Sequence, residues 1–173
     1  MPIEKPIDLP PEVVRRILAP LRNDFSVAVV CPGNAFALGA IVRVAHNFLA
    51  REVIVVGEGT WYTKASMGMH KYETIVQLPN VDELFRTLRG RPLWAIEKDQ
   101  ARQAVQAVKE FPPGVVLAFG SERFGLPKEI VQRADSVIGI PTYGVNHSLP
   151  VAVAAAIVMH EWARRKYVDG AVV

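Results

Sequence analysis

The sequence predicts an α/β fold in which helices flank an open, mostly parallel β-sheet. Short apolar runs such as residues 114–119 lack the polar alternation of a half-exposed strand, which is typical of strands buried on both faces of a parallel sheet. Segments with helical spacing separate these runs, as in an alternating α/β chain. Glycine-containing turns follow two of the runs, at 120–125 and 141–147. Because such sheets bind ligands at the carboxyl ends of their strands, we expect the functional site at these turns.

The N-terminal half is predicted to alternate strands with helices. Prolines at positions 2, 6 and 10 disfavour regular structure in residues 1–9. From Pro11 onward, apolar residues recur at helical spacing as far as Leu21. Arginines 15, 16 and 22 lie off this stripe and form either a solvated face or an RNA-contacting one. We expect helices at 11–21, 37–48 and 82–88, strands at 25–31, 51–57 and 74–78, and a functional loop at 58–72.

The C-terminal half repeats the pattern of strand, turn and helix. A strand at 93–96 leads into an irregular helix that ends near Lys109, and strands follow at 114–119 and 136–140. Pro127 suits the first position of a helix at 128–134, and Ser148 can cap a last helix that runs through Tyr167. We predict one domain at 25–168, a lead and short helix at 1–24, and a tail at 169–173.

Composition and charge narrow the class of protein. Half of the 173 residues are hydrophobic, and a domain of this size buries about 70% of its unfolded surface. The net charge of +3, from 20 basic and 17 acidic residues, permits an anionic partner. The single cysteine, Cys31, excludes an intramolecular disulfide. The N-terminus lacks the apolar core of a signal peptide, and the longest apolar run, 151–159, is too short to cross a bilayer. We therefore expect a soluble cytoplasmic protein without membrane contact.

Common catalytic patterns are missing from the sequence. The four histidines form no His-x-x-x-His pair and have no cysteine partners, so we expect no metal site. Ser121 has no glycine two residues later, as a hydrolase nucleophile turn requires, and no Gly-x-x-x-x-Gly-Lys phosphate loop is present. The remaining pattern, ligand-binding turns without an obvious nucleophile, suits transfer of a group from an activated donor that the protein positions.

Three ordered motifs resemble a known family. Residues 120–125, Gly-Ser-Glu-Arg-Phe-Gly, are similar to the second signature of the SPOUT RNA methyltransferases in their SpoU/TrmH branch, and residues 140–149 are similar to the third. Residues 37–43, Ala-Leu-Gly-Ala-Ile-Val-Arg, resemble the first. The resemblance covers residues 25–167 and identifies the chain as a minimal catalytic domain of that branch.

The resemblance implies an enzyme that uses S-adenosylmethionine and has a deep trefoil knot in its C-terminal third. The implied activity is methylation of a ribose 2′-hydroxyl in tRNA or rRNA. Two alternatives stay open: an RNA-binding SPOUT module with altered or lost catalysis, and a methyltransferase that acts on an RNA base. The family also dimerises through its last helix, where Val151, Ala154, Ala155, Val158 and Trp162 form an apolar stripe that intrachain packing explains equally well.

The resemblance also implies the cofactor-binding residues. The family's contacts fall on Gly120, Ile140 and Leu149, mainly through backbone groups, which agrees with an adenine ring's need for apolar walls and main-chain hydrogen bonds. Ile96 and Glu97, at the end of the preceding strand, are expected to form a further wall of the cofactor site. The full set of expected cofactor-binding residues is Ile96, Glu97, Phe119, Gly120, Ile140, Ser148 and Leu149.

The catalytic residues implied by the motifs are Arg43, Glu122 and Ser148. Arginine is always protonated in proteins, so we expect Arg43 to orient a phosphate or stabilise the developing alkoxide rather than act as a base. Glu122 is expected to accept hydrogen bonds from Arg43 or from a loop backbone and so hold the site in shape. His147, next to the third motif's serine, is a weaker candidate for the proton acceptor.

RNA contacts are expected from polar and basic side chains near these motifs. We predict Asn34, Arg43, Lys64, His70, Lys71, Arg123 and Asn146 as RNA-binding residues. The basic segment 164–167 is a further candidate for phosphate contact, in which case binding weakens steeply with salt.

The chain departs from the family pattern at two positions. Ala37 stands where the first motif usually has asparagine, and Pro150 stands where the third motif usually has asparagine after Ser-Leu. Asn34 or Asn146 can replace a lost amide in space. Otherwise the departures favour an altered acceptor or the non-catalytic alternative.

Overall fold

The computed structural model describes residues 9–59, 62–146 and 148–167. The lead at 1–8, the tail at 169–173 and His147 lie outside the described residues. Within the described ranges, no helix is long and apolar enough to cross a membrane.

Strands and helices alternate along most of the chain. The strands are β1 (Ser26–Val30), β2 (Val53–Val56), β3 (Ile75–Leu78), β4 (Leu93–Ile96), β5 (Gln103–Ala104), β6 (Val116–Phe119) and β7 (Ser136–Gly139). The helices are α1 (Pro11–Leu18), α2 (Ala35–Asn47), α3 (Val81–Leu88), α4 (Lys128–Arg133) and α5 (Val151–Lys166). Single 3₁₀ turns occupy Ala19–Leu21, Thr63–Ser66, Met69–Lys71 and Val105–Ala107.

The seven strands form one sheet in the order β3-β2-β1-β6-β4-β7-β5. Every pair of neighbouring strands is parallel, so all carboxyl ends lie at one edge. This confirms the predicted open parallel sheet. The predicted trefoil knot concerns the path of the chain and stays a prediction.

Helices cover both faces of the sheet because its central strands are buried on both sides. In β1, Val27 and Val29 face a core that contains α2 and α5, whereas Ala28 and Val30 face a core that contains α3 and α4. The side chains of α5 residues Ala155, Val158 and Trp162 belong to the first core. Intrachain packing therefore accounts for that part of the predicted apolar stripe.

The predicted irregular helix after β4 is wrong. Residues 97–109 instead contain the short strand β5, which pairs with β7, and one 3₁₀ turn. The turn is held by Arg165 of α5, which donates hydrogen bonds to the carbonyl oxygens of Val105 (2.9 Å) and Val108 (2.5 Å). Backbone pairing at the sheet edge satisfies this segment better than its weak helical pattern does.

Arg165 is therefore a structural residue, contrary to its predicted role as a phosphate contact. Its guanidinium also lies 2.5 Å from the Glu161 carboxylate. Partial burial raises the pKa of Glu161, but hydrogen bonds and charges from Arg164 and Arg165 outweigh this and lower the pKa below its ordinary value. A carboxyl with a lowered folded pKa stabilises the protein above its unfolded pKa and loses that contribution as the pH falls through the folded value.

A buried charged cluster ties the N-terminal helix to the sheet. The side chain of Glu73, just before β3, is fully buried, forms an ion pair with Arg22 and is hydrogen-bonded to Nδ1 of His46 on α2 (2.7 Å). Arg22 also donates to the carbonyl oxygens of Ala50 and Tyr72, each at 2.8 Å. Arg22 thus belongs to neither the predicted solvated face nor an RNA-contacting one, because its guanidinium is used inside the fold.

Candidate active site

A cavity of about 620 Å³ lies at the carboxyl ends of the neighbouring strands β6, β4 and β7, beside the start of α5. The position agrees with the general location of ligand sites in open α/β sheets. All seven residues predicted to bind the cofactor line it: Ile96, Glu97, Phe119, Gly120, Ile140, Ser148 and Leu149. Residues as far apart in the sequence as Ile96 and Leu149 are thereby brought to one site.

The turn after β6 is folded tightly on itself. Ser121 and Gly125 exchange two backbone hydrogen bonds of 3.2 and 2.9 Å. A Cβ atom on Gly120 would lie 2.1 Å from the carbonyl carbon of Gly125, which is far inside van der Waals contact. Glycine is therefore required at position 120 by the backbone that closes the turn.

Glu97 supports the same turn from the end of β4. Its two carboxylate oxygens accept from the backbone N–H of Lys98 at 2.9 Å and that of Leu126 at 3.5 Å. Glu97 also lines the cavity. This carboxylate thus joins the end of β4 to the turn after β6 on one wall of the site.

Glu122 connects two helix starts across the site. Its Oε2 accepts from Nδ2 of Asn34 at 2.8 Å, and its Oε1 accepts from the backbone N–H of Val151 at 3.4 Å. Asn34 in turn caps α2, because its Oδ1 accepts from the N–H groups of Phe36 and Ala37. The chain Asn34–Glu122–Val151 therefore joins the first residues of α2 and α5.

This arrangement differs from the expected one in two ways. Among the described residues, Glu122 accepts its hydrogen bonds from Asn34 and Val151 and makes none with Arg43. The predicted cap by Ser148 is also wrong: α5 begins with Pro150 at its N-cap position and has no side-chain cap. The Ser148 N–H and hydroxyl instead donate to Oδ1 of Asn146, at 3.2 and 3.5 Å.

Arg43 lies apart from the cavity. It is exposed on α2 and makes no hydrogen bond or ion pair with the residues that the structure describes. Nine residues separate it from Asn34, about 13 Å along the helix axis at 1.5 Å per residue. Phe36, seven residues earlier, lies on the same helix face and is 62% exposed. Arg43 is therefore free to meet a ligand that extends along α2.

The other predicted RNA-binding residues are not gathered at the cavity. Lys64, Lys71 and Arg123 are exposed, and the Arg123 guanidinium lies 5.1 Å from the centre of the Phe124 ring. The Nδ1 atom of His70 lies 2.7 Å from the Ser66 hydroxyl. Only Arg123 of this group lines the cavity. In the described part of the chain, no group of three or more potential metal ligands occurs.

The sequence matches the SpoU rRNA methylase family over residues 24–160. The chain belongs to this family. A relative from Thermus thermophilus, a tRNA (guanosine(18)-2′-O)-methyltransferase, is 33% identical to this SpoU methylase over 162 residues, which cover 91% of this chain and 83% of the relative. A 23S rRNA (guanosine-2′-O-)-methyltransferase from Ralstonia nicotianae is 29% identical, with 76% of this chain and 55% of the relative covered.

Solved structures of SpoU methylases share the fold. The TrmH/SpoU tRNA modifying enzyme of A. aeolicus superposes with a TM-score of 0.78 at 27% identity, covering 90% of this chain and 82% of that one. An AdoMet-bound rRNA methyltransferase from Sinorhizobium meliloti gives a TM-score of 0.75 at 28% identity, covering 90% of this chain and 61% of the other. Methyltransferases of the SpoU family use S-adenosylmethionine.

The residues of the cavity fit this cofactor. Ile96, Phe119, Ile140 and Leu149 supply apolar surface for an adenine ring. The hydroxyl oxygen of Thr142 is buried at the cavity and has no hydrogen-bond partner among the described residues. A buried polar atom without a partner is costly, so a polar group of a bound ligand would relieve it. Sequence reasoning missed Thr142, because a threonine in a polar turn carries no signal of its burial.

Alanine at position 120 should abolish tight cofactor binding by this SpoU methylase. The added Cβ would overlap the backbone of Gly125, so the turn that lines the cavity must move. We expect Gly120→Ala to weaken S-adenosylmethionine binding at least tenfold in calorimetry, about 1.4 kcal/mol or more. Gly33→Ala is the control, because its Cβ would have no atom within 4 Å. Equal affinity of the Gly120 variant and the wild type would show that the turn does not shape the cofactor site.

Proposed function

We propose that this protein transfers a methyl group from S-adenosylmethionine to a ribose 2′-hydroxyl of tRNA or rRNA. The observation that carries the proposal is the convergence of the second and third motifs on one cavity whose lining suits the cofactor. The two relatives described above are named as guanosine 2′-O-methyltransferases of tRNA and rRNA. Their names support the same reaction and favour guanosine as the target.

The cofactor is held by the apolar walls, by the backbone of the turn after β6 and by the Thr142 hydroxyl. Bound there, S-adenosylmethionine supplies an activated methyl group that needs no metal ion for its transfer. The protein's own task is to position the acceptor and to stabilise the charge that develops on the 2′-oxygen. Arg43, an exposed and permanent cation that lies outside the cavity, binds a phosphate of the acceptor strand and so positions the ribose.

Asn34 supports a catalytic rather than a degenerate protein. The motif asparagine missing at Ala37 has a counterpart in Asn34, whose amide donates to Glu122. Pro150, at the other departure, occupies an N-cap position, and the first N–H groups of a helix have no intrahelical acceptor. Neither substitution therefore leaves a polar group of the site without a partner.

The proposal extends to assembly and location. We propose a homodimer through the part of α5 that faces away from the core, where Val153 is 43% exposed and Ala156 is half-buried. The C-terminal trefoil knot belongs to the same proposal, because the family resemblance implies it. We also propose a cytoplasmic location, because tRNA and rRNA substrates occur there.

The test is methyl incorporation from labelled S-adenosylmethionine into separate pools of unmodified tRNA and rRNA, followed by digestion to nucleosides. Wild-type protein should place the label in a 2′-O-methylnucleoside in one pool, and Gly120→Ala should place none. Label in a base-methylated nucleoside would establish the base methyltransferase instead. RNA binding without cofactor binding or label would establish the non-catalytic module.

A further inference from the structure

A second and larger cavity, of about 850 Å³, lies at the same edge of the sheet as the cofactor cavity. It is formed at the carboxyl ends of β1, β2 and β3, which continue the sheet beyond β6. None of the three predicted catalytic residues and none of the predicted cofactor-binding residues lines it. The methyl-transfer site described above therefore leaves this cavity without a role.

The two cavities are connected by one hydrogen bond. Gly33 and Ala35 line the larger cavity, and Asn34 between them donates to Glu122 on the wall of the cofactor cavity. A nucleoside whose ribose lies near this hydrogen bond has the cofactor on one side. The larger cavity is then the space on the other side that can receive its base.

The chemistry of the lining favours a base over a phosphate. Glu58 is the only charged side chain among the lining residues that the structure describes, and its carboxylate repels the RNA backbone. Gln77 also lines the cavity, and its Nε2 donates to the Gly57 carbonyl oxygen at 2.6 Å, which leaves its Oε1 as an acceptor. A ligand edge rich in N–H donors complements these two acceptors.

We propose that this cavity binds the base of the target nucleotide and that Glu58 selects guanine. The proposal rests on the function proposed above. The Watson–Crick edge of guanine presents two adjacent donors, N1–H and the N2 amino group, which a single carboxylate accepts together. Adenine places an acceptor, N1, beside its amino group and therefore meets the carboxylate unfavourably. Extruded bases are commonly read in this way, through their Watson–Crick edges.

An aromatic pair beside the cavity supports a binding site for RNA bases. Phe36 and Tyr62 stack with ring centres 6.4 Å apart and planes inclined by 24°, and they are 62% and 48% exposed. The Tyr62 N–H donates to the carbonyl oxygen of Ala35, a residue of the cavity wall, at 2.9 Å. Exposed aromatic rings are stacking surfaces for bases, so a base next to the target can stack here.

The binding test uses ¹⁵N-labelled protein without cofactor, titrated with guanosine 5′-monophosphate and, separately, with adenosine 5′-monophosphate. Guanosine monophosphate should shift the amide signals of Gly57, Gly59 and Gln77, and Glu58→Gln should weaken its binding about tenfold. Glu110→Gln, which removes the same charge from an exposed loop outside both cavities, should bind as the wild type does. Equal binding of the two nucleotides would overturn the proposal. So would amide shifts that are confined to the cofactor cavity, or the absence of any amide shift.

The activity test separates this inference from the function on which it rests. In the labelled RNA pools, Glu58→Gln should lower the label in 2′-O-methylguanosine about tenfold, whereas Glu110→Gln leaves it unchanged. Unchanged guanosine methylation by Glu58→Gln would overturn the base pocket while the methyltransferase stands. Selective binding of guanosine monophosphate by a wild type that methylates neither pool would support the pocket and overturn the proposed reaction.

Discussion

Replacing Arg43 by alanine should lower the rate of methyl transfer by about 10²-fold, the effect of losing a contact that positions the acceptor. The affinity for S-adenosylmethionine should not change, because Arg43 does not line the cofactor cavity. Single-turnover rates with the labelled RNA and calorimetry with the cofactor measure the two quantities separately.

The Arg43→Lys variant tests how the arginine acts. Lysine keeps the charge but not the planar guanidinium, so an intermediate rate indicates that bidentate contact with phosphate contributes. Neither variant should change the free energy of unfolding by more than about 0.5 kcal/mol, since Arg43 is exposed and makes no contact with charged groups in the described ranges. A parallel loss of stability or of cofactor binding would assign Arg43 to the structure instead of the reaction.

Replacing Glu73 by glutamine should lower the free energy of unfolding by about 3–5 kcal/mol, the usual result of removing one partner from a buried ion pair. The glutamine has nearly the same volume, so the effect comes from the charge. Arg22 has only 13% of its side chain exposed and would keep an uncompensated charge in that position. Urea unfolding of the two proteins measures the difference.

The matched control is Glu83→Gln on α3, which removes the same charge from an exposed pair with Arg86. Exposed pairs contribute about 0–1 kcal/mol, so this variant should unfold close to the wild type. A Glu73 variant no less stable than the Glu83 variant would show that the buried cluster contributes nothing.

Asn34 explains how this chain differs from its family without losing the site. Asn34 precedes the motif position at Ala37 by three residues in the sequence. This spacing does not show where the side-chain amide of Asn34 points. In the structure, Asn34 is the cap of α2, so its side chain is held at the helix start and reaches Glu122. The amide is therefore supplied from a cap position instead of from the first turn of the helix.

The errors in the sequence interpretation have a common physical cause. Ser148 was expected to cap α5, and residues 97–109 were expected to be helical, because local signals favoured both. In each case tertiary contacts decide the outcome: Glu122 reaches Val151 from a distant turn, and β7 offers an edge that pairs with β5. Local propensity is a weak prior when backbone groups find partners elsewhere in the fold.

Sequence patterns alone were enough to predict the parallel α/β class, most strand and helix positions, and seven of the residues that line the cavity at the ends of β6, β4 and β7. Apolar periodicity and ordered motifs are local patterns, so they can be recognised without knowledge of the fold. The bridge from Asn34 through Glu122 to Val151, the burial of the Thr142 hydroxyl and the ion pair of Glu73 with Arg22 became visible only in the folded structure. These depend on which distant segments meet, and the packing of helices on both faces of the sheet sets those meetings.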